Sequence, residues 1–263
     1  MSARTDAAAE AVMIAAVGGH HLGVIGATGA ERRALAELVS GLRPPLVAPA
    51  NLTLPSLIGY SPRRREVTGA AVDAHGATLY LERGQLSDFH TAGALIEVLE
   101  SETVSMWNAG SLYNRPACFT LVLGAADRAE GYRPPGSLLP RLVDRLDLEL
   151  ACPAADWAAT VDADQVAQAR ARAARRLEGT PWTLARQVPA RALRERHPGI
   201  RPGDLDPLVE AGRTGLISLR GAERAERTAW TIADLRDLPR PGAAEFHAAL
   251  THRLGATEPG DNR

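Results

Sequence analysis

GGHHLGVIGATGAERRALAELVSGLRPPL, residues 18–46, is the stretch whose reading decides the fold. Its apolar run from His21 to Ile25 predicts a short strand, the glycine-bearing turn GATGAERR (26–33) follows, and a helix runs on through Leu42 until Pro44-Pro45 closes it. Strand, glycine turn and helix in that order form the context of a phosphate-binding loop, where backbone N–H groups and the helix N-terminus cradle phosphate oxygens. GATG (26–29) taken alone is a weak signal, because glycine turns between strands and helices are common.

Working outward, the alanine-rich segment 6–17 predicts a helix with Val12, Met13 and Val17 available for packing, ended by Gly18-Gly19. Residues 47–76 are rich in Pro and Gly and allow no assignment. ATLYLE (77–82) and CFTLVLGA (118–125) predict buried strands, Thr91–Glu100 a helix, and Asn108-Ala109-Gly110 the turn of a hairpin. Leu138–Leu142 predicts a short helix and LDLEL (146–150) a last strand. After Pro153 only helical patterns remain, at about 162–178, 189–196, 204–213, 218–236 and 242–252. The expected fold is therefore α/β with a central sheet over residues 1–153, an all-helical segment over 154–254 and a disordered tail over 255–263.

The composition narrows the function classes. With 45% hydrophobic and 23% charged residues and a formal net charge of -1, the chain carries no global bias toward nucleic acid or membrane. No apolar run approaches the ~20 residues of a membrane span. The first ten residues lack the basic-then-apolar order of a signal peptide, so the expected location is cytoplasmic. Cys118 and Cys152 have no metal-ligand spacing and are expected to be reduced, buried thiols. His20-His21 are neighbours at a strand, where side chains alternate between faces, which favours packing over a metal pair; no metal site is expected. All 30 basic residues are arginine, so any chemistry that requires a lysine is closed to this chain.

Four segments in order carry a family resemblance. The stretch 18–46, GATLYLER (76–83), LLPRLVDRLDLELACP (138–153) and SLRGAERAERTAWTIADL (218–235) resemble the loop, the Walker B strand, the arginine-finger segment and the sensor-2 helix of the AAA+ module in the magnesium-chelatase ATPase subunit and the ComM/YifB proteins. TPWTLARQVPARALRERHP (180–198) resembles the lid of the same module. The resemblance covers residues 7–253. It implies a three-layer P-loop domain with a central parallel sheet, followed by a small helical lid, with ATP or ADP as the only cofactor class.

The departures from the family pattern decide the functional expectation. In G-x-x-x-x-G-K-[ST] the lysine reaches the β/γ-phosphates and the hydroxyl holds Mg²⁺. Here Gly26 is the first glycine and Gly29 lies within the turn, but Glu31 stands at the second glycine, Arg32 at the lysine and Arg33 at the hydroxyl. A carboxylate facing a triphosphate repels it, and arginine holds no metal. At the strand end the family's Asp-Glu pair becomes Glu82-Arg83, and Arg83 cannot polarise a water as a catalytic glutamate does. The sensor-1 position falls near Ala126. Arg145 stands at the arginine-finger position, which in the family serves a neighbouring subunit, and Arg220 at the sensor-2 position.

The resemblance thus implies a pseudo-ATPase that no longer holds Mg²⁺ and acts through an active AAA+ homologue in a mixed ring, or as a homo-oligomer. A divergent ATPase in DNA remodelling or metal chelation, with Glu82 standing in for aspartate, is the enzyme alternative. Arg63, Arg64 and Arg65, where family members carry an insert facing the ring pore, offer a third reading as a DNA-contacting loop. The arginines at 170, 172, 175 and 176 are expected to spread over a solvated helix face. Scattered tryptophans and 4% aromatic residues argue against a strand binder that works by base stacking.

Overall fold

The computed structural model describes residues 3–26, 28–41, 44–61, 66–82, 86, 88–108, 111–125, 139–151, 161–197 and 199–255. Strands β1 (Leu22–Ile25), β2 (Leu46–Val47), β5 (Thr78–Glu82), β8 (Thr120–Ala125) and β9 (Leu148–Ala151) make one five-stranded sheet in the order β2-β5-β8-β1-β9. β2 and β5 pair in parallel, as do β5 and β8, with Leu79 opposite Leu121 and Glu82 opposite Gly124. Every residue of TLVLGA in β8 is buried, and so are the first four of TLYLE in β5. Continuous apolar runs of this kind belong to strands covered on both faces. The central parallel sheet expected from the sequence is present.

The remaining strands are β3 (Gly59–Tyr60) with β4 (Val67–Thr68), and the hairpin β6 (Thr103–Asn108) with β7 (Ser111–Pro116), both antiparallel. The hairpin pairs Asn108 with Ser111, on either side of the expected turn, whose Ala109 and Gly110 lie outside the described residues. Residues 47–76, which the sequence left open, also hold α3 (Leu54–Ile58) and α4 (Ala70–Asp73). These pieces are too short for periodicity to register.

By packing, the chain forms two compact units, residues 23–145 and residues 1–22 with 146–263. The compositional boundary at 153, where strand patterns cease, lies inside the second of these. The 23–145 unit contains α2 (Gly29–Ser40), α5 (Phe89–Ser101) and α6 (Leu139–Val143). Asp88 caps α5, accepting the Thr91 N–H at 2.8 Å, and Glu102 ends it in the left-handed region.

The other unit contains α1 (Ala3–Gly18), α7 (Ala163–Leu177), α8 (Ala190–Arg196), α9 (Asp206–Arg213), α10 (Leu219–Leu235) and α11 (Ala243–Leu254). Each falls within a few residues of its expected span, and none of the described helices is long and apolar enough to cross a membrane. α10 is the axis of the unit: ten of its last eleven residues are buried, and Trp230 packs with Leu177, Val188 and Leu193. The arginines of α7 correct an expectation. Arg176 pairs with Asp234, Arg172 donates to the Asp234 carbonyl at 2.6 Å, and Arg170 donates to the Ala16 carbonyl at 2.8 Å; Arg175 stays exposed. Long stems let guanidiniums reach back over the helix to bind neighbours, which a spacing argument does not register. Cys118 is half-buried instead of buried, and Cys152 lies outside the described residues.

A polar network sits at the centre of the helical unit. Asp147 is fully buried; its Oδ1 accepts Arg224 Nη1 at 2.9 Å and its Oδ2 accepts the His21 N–H at 2.8 Å. His20 Nε2 meets Thr231 Oγ1 at 2.8 Å. Gly18 makes that bond possible, because a Cβ there would lie 2.3 Å from His20 Nε2. Burial opposes the Asp147 charge, but the Arg224 guanidinium outweighs it and holds its pKa well below the ordinary 3.8. Burial lowers His20 and His21 below 6.5 and keeps both neutral.

Asp147→Asn is expected to destabilise the protein by about 3–5 kcal/mol in urea unfolding, because Arg224 is left buried without its counter-charge. Stability should also decline as pH falls below 6.5: the unfolded chain then takes up protons that folded His20 and His21 refuse. Asp147 contributes its stabilisation above pH 3.8, and that is lost only as pH falls further, toward its folded value. Unfolding curves at stepped pH check both.

Candidate functional site

The loop 26–33 places its side chains against each other. Thr28 caps α2, and the pattern is reciprocal: Thr28 Oγ1 accepts the Glu31 N–H at 3.3 Å, while Glu31 Oε2 accepts the Thr28 N–H at 2.7 Å and its hydroxyl at 2.8 Å. This is a capping box of the Thr-x-x-Glu spacing. The expectation that Glu31 faces a ligand needs revision in its geometry. Its carboxylate turns back onto its own helix start and takes a backbone donor that a phosphate would otherwise use. The Thr28 amide and hydroxyl hold its pKa below the ordinary 4.5.

Arg32 is 6% exposed, although arginine is seldom buried. Its Nε and Nη2 form a fork on the Glu82 carboxylate at 3.2 and 3.0 Å, and Nη1 donates to the Gly26 carbonyl at 2.9 Å. Tyr80 donates its hydroxyl to the same carboxylate. The loop, α2 and β5 are thus tied through one ion pair. β8 leaves room for it: a Cβ on Gly124 would come within 3.0 Å of both Arg32 Nε and Glu82 Oε2. Burial opposes the Arg32 charge, yet Glu82 outweighs it and the pKa rises. The Tyr80 hydroxyl is pushed up, by burial first and then by the adjacent carboxylate.

The other singled-out residues are spread more widely. Arg33 is exposed and lies 3.6 Å from Glu37. Arg145, at the finger position, is buried; Nε donates to Glu100 at 3.0 Å and Nη1 to the Arg141 carbonyl at 3.1 Å, with Asp144 at 3.5 Å. Arg220 is exposed on the first turn of α10. Arg63, Arg64, Arg65, Arg83 and Ala126 lie outside the described residues. The structure therefore brings Gly26, Gly29, Arg32 and Glu82 together and leaves Arg33 and Arg145 apart from them.

Sequence reasoning missed four participants, Tyr80, Glu100, Gly124 and Thr28. Tyr80 looked like one more apolar strand residue, Glu100 like a helix surface, and Gly124 like a strand end. Only Thr28 carried a usable signal, its spacing to Glu31. Among the described residues no three His, Cys, Asp or Glu side chains gather as a metal would require.

Residues 158–253 match the family described as magnesium chelatase, subunit ChlI C-terminal. Two mycobacterial relatives, uncharacterized protein Mb2921c of Mycobacterium bovis and uncharacterized protein Rv2897c of Mycobacterium tuberculosis, are each 30% identical over an alignment covering 92% of this chain and 59% of theirs. The chain spans about three-fifths of the length of these curated relatives. With a central parallel sheet, a strand–loop–helix at its first strand and the matched helical region, the chain is similar to the magnesium-chelatase-like AAA+ family, and the match itself covers residues 158–253.

Arg32→Met is expected to lower stability by about 1–3 kcal/mol, since it leaves the half-buried Glu82 carboxylate without its main partner. Thr28→Ala should cost about 1 kcal/mol through loss of the cap. Urea titrations read both, and Arg33→Met, at an exposed position, should leave the midpoint unchanged.

Proposed function

We propose that this chain is a non-hydrolysing AAA+ subunit, a pseudo-ATPase of the magnesium-chelatase/ComM type that regulates an active homologue in a shared ring, or works as a homo-oligomer, in the cytoplasm. One observation carries the reading: Arg32, at the place of the phosphate-binding lysine, is held by Glu82, at the place of the metal-binding carboxylate. The two charges that would address a magnesium triphosphate neutralise each other. Glu31 adds to this by capping α2 with its own carboxylate, so an entering phosphate meets a negative charge at the helix start.

Hydrolysis needs a group that positions or deprotonates water and a metal that gathers the phosphate charge. Losing one donor or base costs about 10²–10⁴ in rate, and the replacements here strike the lysine, the hydroxyl and the acidic pair together. Backbone donors in the loop still allow ATP or ADP to bind weakly. In a mixed ring Arg145 would serve the neighbour's nucleotide only after leaving Glu100, so finger action is coupled to release of that pair.

Purified protein is expected to release no phosphate from ATP above the blank, and Mg²⁺ should add nothing to any thermal stabilisation that ATP produces. Mg²⁺-dependent turnover abolished by Glu82→Ala would establish the divergent-ATPase reading instead.

DNA contact is a second reading, supported by exposed Tyr60 and Tyr113 on β3 and β7 and by the sequence Arg63-Arg64-Arg65 between β3 and β4. It requires binding to single- or double-stranded DNA that weakens steeply with salt and is lost when the three arginines are replaced by glutamine. No binding at low salt removes it.

A further inference from the structure

Arg224 and Arg227 stand about one turn apart on α10, and Arg186 comes from the 3₁₀ turn Ala185–Gln187 packed against that helix. All three guanidiniums bear on the buried site of Asp147. The Asp147 carboxylate is already engaged, taking Arg224 Nη1 on one oxygen and the His21 N–H on the other, with His20 Nδ1 at 3.8 Å. Arg227 differs from its neighbours. Its guanidinium has no hydrogen bond or ion pair to any described residue, and its Nε is buried without a partner, as is the Nε of Arg224.

The charges facing Arg227 are Asp147 and Glu223 on the favourable side and Arg224 and Arg186 on the other. Burial pushes its pKa down, with the two arginines adding to the effect. A lysine in this position could shed its proton, but a guanidinium stays charged at any ordinary pH. Arg227 is half-buried with only its Nε fully enclosed, so its outer nitrogens face outward, where an anion would offset the charge better than water does. Neighbouring guanidinium N–H groups suit an oxyanion, because several oxygens can each accept one donor.

We propose that Arg224 and Arg227, within the positive field of Arg186, form a binding site for a phosphate dianion in the helical unit, either the free ion or the phosphoryl group of a monoester. The site is separate from the loop at 26–33 and does not depend on whether that loop takes nucleotide. Arg227 supplies the uncommitted charge. Arg224 bridges the anion to Asp147 and so links it to the buried network of His20, His21 and Thr231.

The test is thermal unfolding of the full chain in sodium phosphate and, separately, in glycerol phosphate, each against sodium chloride at matched ionic strength. The expected result is a saturable rise in Tm of roughly 2–4 °C, about what 1 kcal/mol of linkage produces in a chain of this size. A rise with inorganic phosphate alone assigns the free ion, and a rise with both assigns the phosphoryl group. Arg227→Met should lose the rise while being at least as stable as the parent in phosphate-free buffer, because it removes a half-buried charge that makes no hydrogen bond or ion pair and is repelled by Arg224 and Arg186. Arg175→Met, an exposed arginine on α7, should keep it. An equal rise in Arg227→Met, or one that grows linearly without saturating, would mean general solute exclusion and overturn the site. Destabilisation of Arg227→Met in phosphate-free buffer would equally overturn it, since the guanidinium would then be satisfied within the fold.

Discussion

The 23–145 unit is organised around a buried guanidinium that must have an anion. Arg32 points inward from the first turn of α2, where the chain has just left β1, and only a carboxylate close by can compensate it. Glu82 provides that at the end of β5, Tyr80 adds a hydroxyl from the same strand, and the Gly26 carbonyl takes the remaining direction. Helix, strand and loop are therefore held in one relative position by a single fork. β8 accommodates it by carrying glycine at 124.

A chain without lysine builds its polar contacts from guanidiniums, and the helical unit shows the consequence. Arg194 holds Glu226 through Nε and Nη2 at 3.0 and 2.9 Å, and Arg236 joins Glu245 on α11 to Glu10 on α1, each at 2.9 Å. A planar fork is pre-organised for a carboxylate and stays charged when buried, so it can serve as an internal tie where an ammonium would lose its proton. Glu226 and Glu245 are accordingly almost wholly buried. The same permanence makes a half-buried arginine without a hydrogen-bonded carboxylate conspicuous, and Arg227 is one such case among the described residues of this unit.

The charges singled out in the sequence are held in different ways. Glu31 and Arg32 are consumed by local contacts, one a helix cap and the other an ion pair. Arg145 is consumed by Glu100 on α5. Arg220 stands exposed on α10.

Several features of this protein were legible without coordinates. Apolar runs with β-branched residues marked β5 and β8, because a strand covered on both faces must be apolar throughout. Amphipathic spacing and caps marked α7, α10 and α11 to within a few residues, because those signals are local. The family pattern and its departures at 31, 32, 33 and 82 were readable for the same reason: each is a residue type at a fixed spacing. What the departures do was not readable. Whether Arg32 reaches toward solvent or folds onto Glu82, and whether Arg176 is solvated or buried against Asp234, depends on which residues distant in sequence become neighbours. Partner choice for a long, charged side chain is decided by desolvation and by the nearest opposite charge, and both exist only once the tertiary structure has formed.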